Sequence, residues 1–129
     1  MGKSYFVGEA IDKAVKLDVY YTEPFTNTAL EVDGIRMATL SEIIAMKLDV
    51  VMRTGRKKDF WDIHELIHQY SFQDMLALHL ERYPYTHNPS LIKTMFTEFD
   101  RAEEDFDPKC LKGKYWEVIK MDLVSFVNE

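Results

Sequence analysis

Apolar positions along the chain change their period once. Before about residue 38 they recur every second residue. Across 14–21, Val15, Leu17 and Val19 alternate with Lys16, Asp18 and Tyr20, which predicts a strand with one face buried. Tyr5-Phe6-Val7 predicts a shorter strand, and Glu23-Pro24 ends the longer one. Asp33-Gly34 is a turn signal between extended pieces at 29–32 and 35–37.

After residue 38 the period is helical. Thr39-Leu40-Ser41-Glu42 has the form of a capping box, in which the threonine and glutamate side chains each satisfy a free backbone N–H. That helix is expected to run to about Arg53 and to stop near Gly55. A second is expected over 58–70. Ser71 and Asp74 open a third, which ends before Pro84, and Pro89 opens a shorter one. The last spans 115–127, with Trp116, Ile119, Leu123, Phe126 and Val127 on one stripe that should dock on the body. The expected fold is α+β: one domain over 1–129, with a small N-terminal β-sheet in 1–38 followed by a mainly α-helical bundle in 39–129.

Composition supports this and narrows the setting. The chain has 129 residues, 47% of them hydrophobic and 13% aromatic, enough to build a core without cross-links. A single cysteine, Cys110, allows no internal disulfide. No apolar run approaches the roughly 18 residues of a membrane span, and the first residues have no secretory apolar core. The expectation is a cytoplasmic protein without a membrane partner. The net charge of −6 does not draw nucleic acid to the molecule as a whole. Locally, Arg53, Arg56, Lys57 and Lys58 crowd a short loop around Gly55, either as a solvated loop or as a phosphate-binding one.

Candidate chemistry sits on the polar exceptions to the pattern. By helical spacing Lys47 falls near the middle of an apolar arc of Leu40, Ile43, Ile44, Val50 and Val51, opposite Glu42, Asp49 and Arg53. A lysine there either snorkels past the helix end or meets a carboxylate or phosphate in a cleft. Asp18 lies on the polar face of its strand, either solvated or facing a cleft where a carboxylate can hold Mg²⁺ or activate a hydroxyl. Asp59 and Asp62 lie near the start of the second helix, where capping and the macrodipole already account for acidic residues.

The ordered set Val15-Lys16-Leu17-Asp18-Val19, Asp33-Gly34-Ile35-Arg36, Leu40-Ser41-Glu42-Ile43-Ile44-Ala45-Met46-Lys47-Leu48, Arg53 and Lys58-Asp59-Phe60-Trp61-Asp62-Ile63 resembles the AbiEii nucleotidyltransferase-like toxin family. The likeness continues more loosely through Tyr70-Ser71 and Tyr83-Pro84 to the C-terminal helix. It implies a remnant of a nucleotidyltransferase-like sheet, with Asp18 as the third site carboxylate and an incomplete metal ligand. It implies that Lys47 binds nucleotide phosphate, and that Arg53, Lys58, Asp59 and Asp62 line or brace the same cleft. The cofactors implied for a complete family site are Mg²⁺ and a nucleoside triphosphate. The acceptor is typically an RNA, and the partner an antitoxin. Family members begin with a Gly-Gly or Gly-Ser turn followed by a metal-binding Asp-x-Asp pair, whereas these residues start just upstream of the third carboxylate. The expected function is therefore a partial nucleotidyltransferase-like domain that keeps the phosphate side of the site and is not catalytic alone. The missing pair would come from an upstream segment or a separate chain. The rival is a non-catalytic interaction module that self-associates as a homo-oligomer or docks on a partner chain.

Two further matches are set aside. His64-Glu65-Leu66-Ile67-His68 has the letters of a zinc-protease helix, but no convincing third ligand follows it. Asp105-Phe106-Asp107 is a literal Asp-x-Asp, yet Glu103-Glu104 precede it and Pro108 follows, so it reads as an acidic loop.

Overall fold

The computed structural model describes residues 2–129. Its N-terminal part is two separate antiparallel hairpins rather than one sheet. β1 (Lys3–Val7) pairs with β2 (Val15–Val19), and β3 (Leu30–Val32) with β4 (Ile35–Met37). The Asp33-Gly34 turn works because both residues take positive φ, 53° and 78°, as a tight hairpin connection requires.

The expected burial of one strand face is not observed. Pairing places Val7 opposite Val15, Tyr5 opposite Leu17 and Lys3 opposite Val19, so the apolar residues do share a face. Every position of all four strands is nevertheless exposed. Alternation decides which face of a strand is apolar, but burial needs a second layer, and the helices pack on one another instead.

Six helical segments follow: α1 (Leu40–Thr54), α2 (Lys57–His64), α3 (Phe72–Arg82), α4 (Pro89–Phe96), the single turn α5 (Asp100–Glu103) and α6 (Trp116–Val127). α1 is central and contacts α2, α3 and α4, while α6 closes the bundle against α2 and α4. The predicted α6 stripe is buried throughout. Trp116 from that stripe stacks parallel to Trp61 of α2 at 6.3 Å between centroids, and joins Phe60 and Phe99 in an aromatic cluster.

Two helix expectations are corrected, and α5 is an additional turn. α2 stops at His64 rather than near 70, and residues 65–69 form turns. The turn α5 carries too few residues to show a period. In α1 the buried face is Ile44, Ala45, Leu48, Val51 and Met52, so the arc is rotated from the expected one. Leu40 and Ile43 are exposed, and Lys47 lies on the flank of the buried face rather than at its middle.

Glu42, expected on the polar side, is 2% exposed. Thr39 does accept the Glu42 N–H at 3.3 Å, so half of the capping box forms. The Glu42 carboxylate turns to longer-range partners. It accepts from the Asn27 N–H at 2.7 Å and from Arg82 Nη1 at 2.7 Å. Arg82 also donates to the carbonyls of Glu23 and Pro24 and to the Thr22 hydroxyl. This pair ties the β2–β3 connector to the α1–α3 interface.

A second buried polar chain joins α1 to α3. His79, 0% exposed, bonds Asp49 Oδ1 through Nε2 at 3.2 Å and His87 Nδ1 through Nδ1 at 2.8 Å. With Nε2–H donating to the carboxylate, a neutral His79 must accept at Nδ1, so His87 donates from its own Nδ1–H. Burial holds the His79 pKa below its ordinary value, against the pull of Asp49 and with help from His87. The unfolded chain therefore binds this proton more readily, and His79 favours folding fully above about pH 6.5. That contribution is lost as pH falls below this value through the depressed folded-state pKa. Urea midpoints should drop between about pH 7 and 5, before ordinary carboxylates titrate near about 4. His79→Gln should flatten that part of the profile, and an unchanged slope would discount His79 as its source.

Candidate functional site

α1 and α2 meet at a mixed-charge cluster. Lys47 Nζ lies 3.0 Å from Asp59 Oδ1 and 2.9 Å from Asp62 Oδ2. The two carboxylates are three residues apart, which places both on the side of α2 that faces Lys47. Their environments differ: the Asp59 side chain is 6% exposed and that of Asp62 58%. Asp59 Oδ2 also accepts the Arg56 N–H at 3.0 Å. Asp59 thus caps the start of α2 and binds Lys47 at once.

Burial alone would lower the Lys47 pKa, but the Asp62 and Asp59 carboxylates outweigh it and raise the value overall. The ammonium is half-buried and held charged. Flanking the buried face of α1 gives it access to the α2 carboxylates without full desolvation.

The other residues singled out from the sequence are dispersed around this cluster. Arg53 is engaged by its own helix, with Nη2 2.9 Å from Asp49 Oδ2. In the basic loop, Lys57 is buried: its Nζ donates to the Asp105 carbonyl and to Asp107 Oδ1, and it lies 5.2 Å from the centroid of the Trp116 ring. Arg56 pairs with Asp105, which also accepts the Lys57 N–H. The acidic loop at 105–107 therefore neutralises two of the four cations and caps α2. Lys58 is exposed and has no carboxylate partner among the described residues.

Asp18 is exposed on β2, where the Ser4 hydroxyl donates to it at 2.5 Å and Lys16 lies 3.5 Å away. The Ser4 hydrogen bond chiefly, then Lys16 and more weakly Lys58, hold its pKa below the ordinary value.

These surroundings do not fit a divalent cation at Asp18. Such an ion takes several oxygen ligands, whereas the groups shown beside Asp18 are the Ser4 hydroxyl and the Lys16 ammonium. Asp59 and Asp62 are occupied by Lys47. Among the described residues, no group of three or more His, Cys, Asp or Glu side chains is arranged to hold a metal.

The histidine pair at 64 and 68 does not form a zinc-protease face either, because α2 ends at His64 and the chain turns before His68. His64 Nε2 bonds Asp122 Oδ2 of α6 at 2.7 Å instead. The polar residues that sequence reasoning missed are Arg82 and the His79–His87 pair, whose partners are 40 and 30 positions away at Glu42 and Asp49.

No helix of the described residues is long and apolar enough to cross a membrane. Comparison with curated proteins and with solved structures found no match. The sequence model of the family described as "Nucleotidyl transferase AbiEii toxin, Type IV TA system" matches residues 2–129. With that match running through the α1 lysine, the acidic pair of α2 and the Asp18 strand alike, the chain belongs to the AbiEii nucleotidyltransferase toxin family.

Proposed function

We propose that these residues form the phosphate-binding side of a nucleotidyltransferase site and are not catalytic alone. The observation that supports this most is the Lys47 ammonium, kept charged between two helices and partly open to solvent. A buried-side cation of this kind can offset charge on a triphosphate as pyrophosphate leaves. Asp59 fixes its position, and Asp62, which is exposed, is the partner that a phosphate oxygen would displace. Lys58 adds positive charge at the start of α2, and Asp18 would orient an acceptor hydroxyl. The metal-binding Asp-x-Asp would come from a segment or chain other than residues 1–129, and Mg²⁺ would supply charge neutralisation there. An antitoxin is the partner that the toxin–antitoxin setting suggests, in a cytoplasmic system.

Titration of the chain with each nucleoside triphosphate, followed by NMR, tests this. Saturable shifts around Asp18, Lys47 and Asp59 are expected, and Lys47→Ala should abolish them. Asp62→Asn should tighten binding several-fold, because the competing carboxylate charge is gone. Absence of shifts at about millimolar nucleotide, weaker than any specific site of use, would refute the phosphate reading.

One observation favours the second reading, an interaction module. Tyr5, Val7, Val15, Leu17 and Val19 form an uncovered apolar face on a hairpin with unpaired edges, and such surfaces favour association. Concentration-dependent sedimentation would reveal self-association, and a concentration-independent monomer would leave docking on another chain.

A further inference from the structure

The hairpin of β1 and β2 has two outer edges, and only one of them suits a copy of itself. Neither edge pairs with another strand among the described residues, and every position of both strands is exposed. A free edge presents unpaired N–H and C=O groups that a further strand can take. Side chains directly opposite one another then decide which strand fits.

β2 reads Val15-Lys16-Leu17-Asp18-Val19 and is self-complementary when run antiparallel about Leu17. In that register Leu17 meets Leu17 of the second copy, Val15 meets Val19, and Lys16 meets Asp18 on both sides of the centre. Opposite residues share a face of the sheet. The apolar face of Tyr5, Val7, Val15, Leu17 and Val19 would therefore run unbroken from one hairpin into the next. Lys16 and Asp18 are both about half-exposed and 3.5 Å apart within the strand, so each keeps room for an opposite charge.

The alternatives fail on charge or on face. Centring the pairing on Lys16 or on Asp18 sets like charges directly opposite, which is destabilising. A shift of half that step sets charged positions against apolar ones and turns the two apolar faces to opposite sides. Parallel pairing in register matches lysine with lysine and aspartate with aspartate. The β1 edge, Lys3-Ser4-Tyr5-Phe6-Val7, centred on Tyr5, sets Lys3 against Val7 and Ser4 against Phe6 and offers no ion pair.

We propose, building on the interaction reading of the hairpin, that the β2 edge binds the β2 edge of a second copy of this chain, antiparallel and centred on Leu17. The product is a four-stranded sheet with two-fold symmetry. A lone two-stranded hairpin is marginal in water, and four strands relieve that. The shared edge is only five residues long, so the interface falls below about 1,200 Å² and the association is weak.

Sedimentation equilibrium under reducing conditions, at chain concentrations up to about 1 mM as a weak interface requires, tests this. Wild type should pass from monomer to dimer as concentration rises. Lys16→Asp sets two carboxylates against each other and Asp18→Lys two ammonium groups, so each variant alone should stay monomeric. The two substitutions move the net charge in opposite directions, so a shared loss is not general repulsion. An equimolar mixture of the variants restores an opposite-sign pair at both positions and should dimerise within several-fold of wild type. That recovery also shows that both variants fold. A wild-type monomer at every concentration would overturn the proposal while leaving the hairpin to dock on a different chain. A dimer that both variants keep would overturn it by placing self-association on another surface. A mixture far tighter than wild type would overturn the register, because like charges would then meet in the wild type, as in a parallel pairing.

Discussion

Arg82→Ala should cost about 3–5 kcal/mol of folding stability, the range for removing one partner of a buried ion pair. The two side chains are 3% and 1% exposed, so the Glu42 carboxylate would be left in the interior with only the Asn27 N–H. Most of the loss comes from that stranded charge rather than from the pair's own worth. Glu42→Gln combined with Arg82→Met should therefore recover a large part of the loss, since the amide oxygen can still accept from Asn27. Urea unfolding of the two variants measures this. Equal losses in the single and double variants would show that Arg82 matters instead through its bonds to the Thr22–Pro24 connector.

Asp59→Ala should be the next most damaging change, at about 2–4 kcal/mol, while Asp62→Ala should cost less than about 1 kcal/mol. Both carboxylates lie about equally close to Lys47, 3.0 and 2.9 Å, so distance does not separate them. Burial does. Asp59 also holds the Arg56 N–H at the start of α2, and its loss leaves a capping donor and a half-buried ammonium short of an acceptor. Asp62 is mostly in water, where side-chain entropy and screening cancel much of the Coulomb gain. Similar losses from the two variants would mean that Asp62 is as desolvated as its partner. The same asymmetry underlies the functional proposal, because only the exposed arm can give way to a phosphate at small cost.

How much of this was legible beforehand varied with the range of the interaction. Ser71 and Asp74 open α3 as expected, and each side chain bonds the other's backbone N–H. The Thr39 box forms by half, because a carboxylate at the same spacing found a guanidinium forty residues on. The sequence left the lysine of α1 open between snorkelling and meeting a carboxylate or phosphate; Asp59 and Asp62 lie beside it, but nothing local pairs them with Lys47. The rotation of α1's buried face was illegible for a related reason. Leu40 and Ile43 are as apolar as Ile44 and Leu48, and only the positions of α2, α3 and α4 decide which of them are covered.

Alone, the sequence determined the order and kinds of elements other than α5, the apolar stripe of α6, the Asp33-Gly34 turn and the likeness to a nucleotidyltransferase family. These rest on periodicity, backbone preference and short spacings, all of which act within a few residues. Tertiary structure alone decided that the hairpin faces stay open, that 105–107 seals the basic loop, and that Lys47 sits between Asp59 and Asp62. It also decided that Asp18 has the Ser4 hydroxyl and the Lys16 ammonium beside it in place of a second carboxylate. Each depends on which distant groups share a low-dielectric space. The stability of a charge or an apolar face there is set by its surroundings more than by its neighbours in the chain.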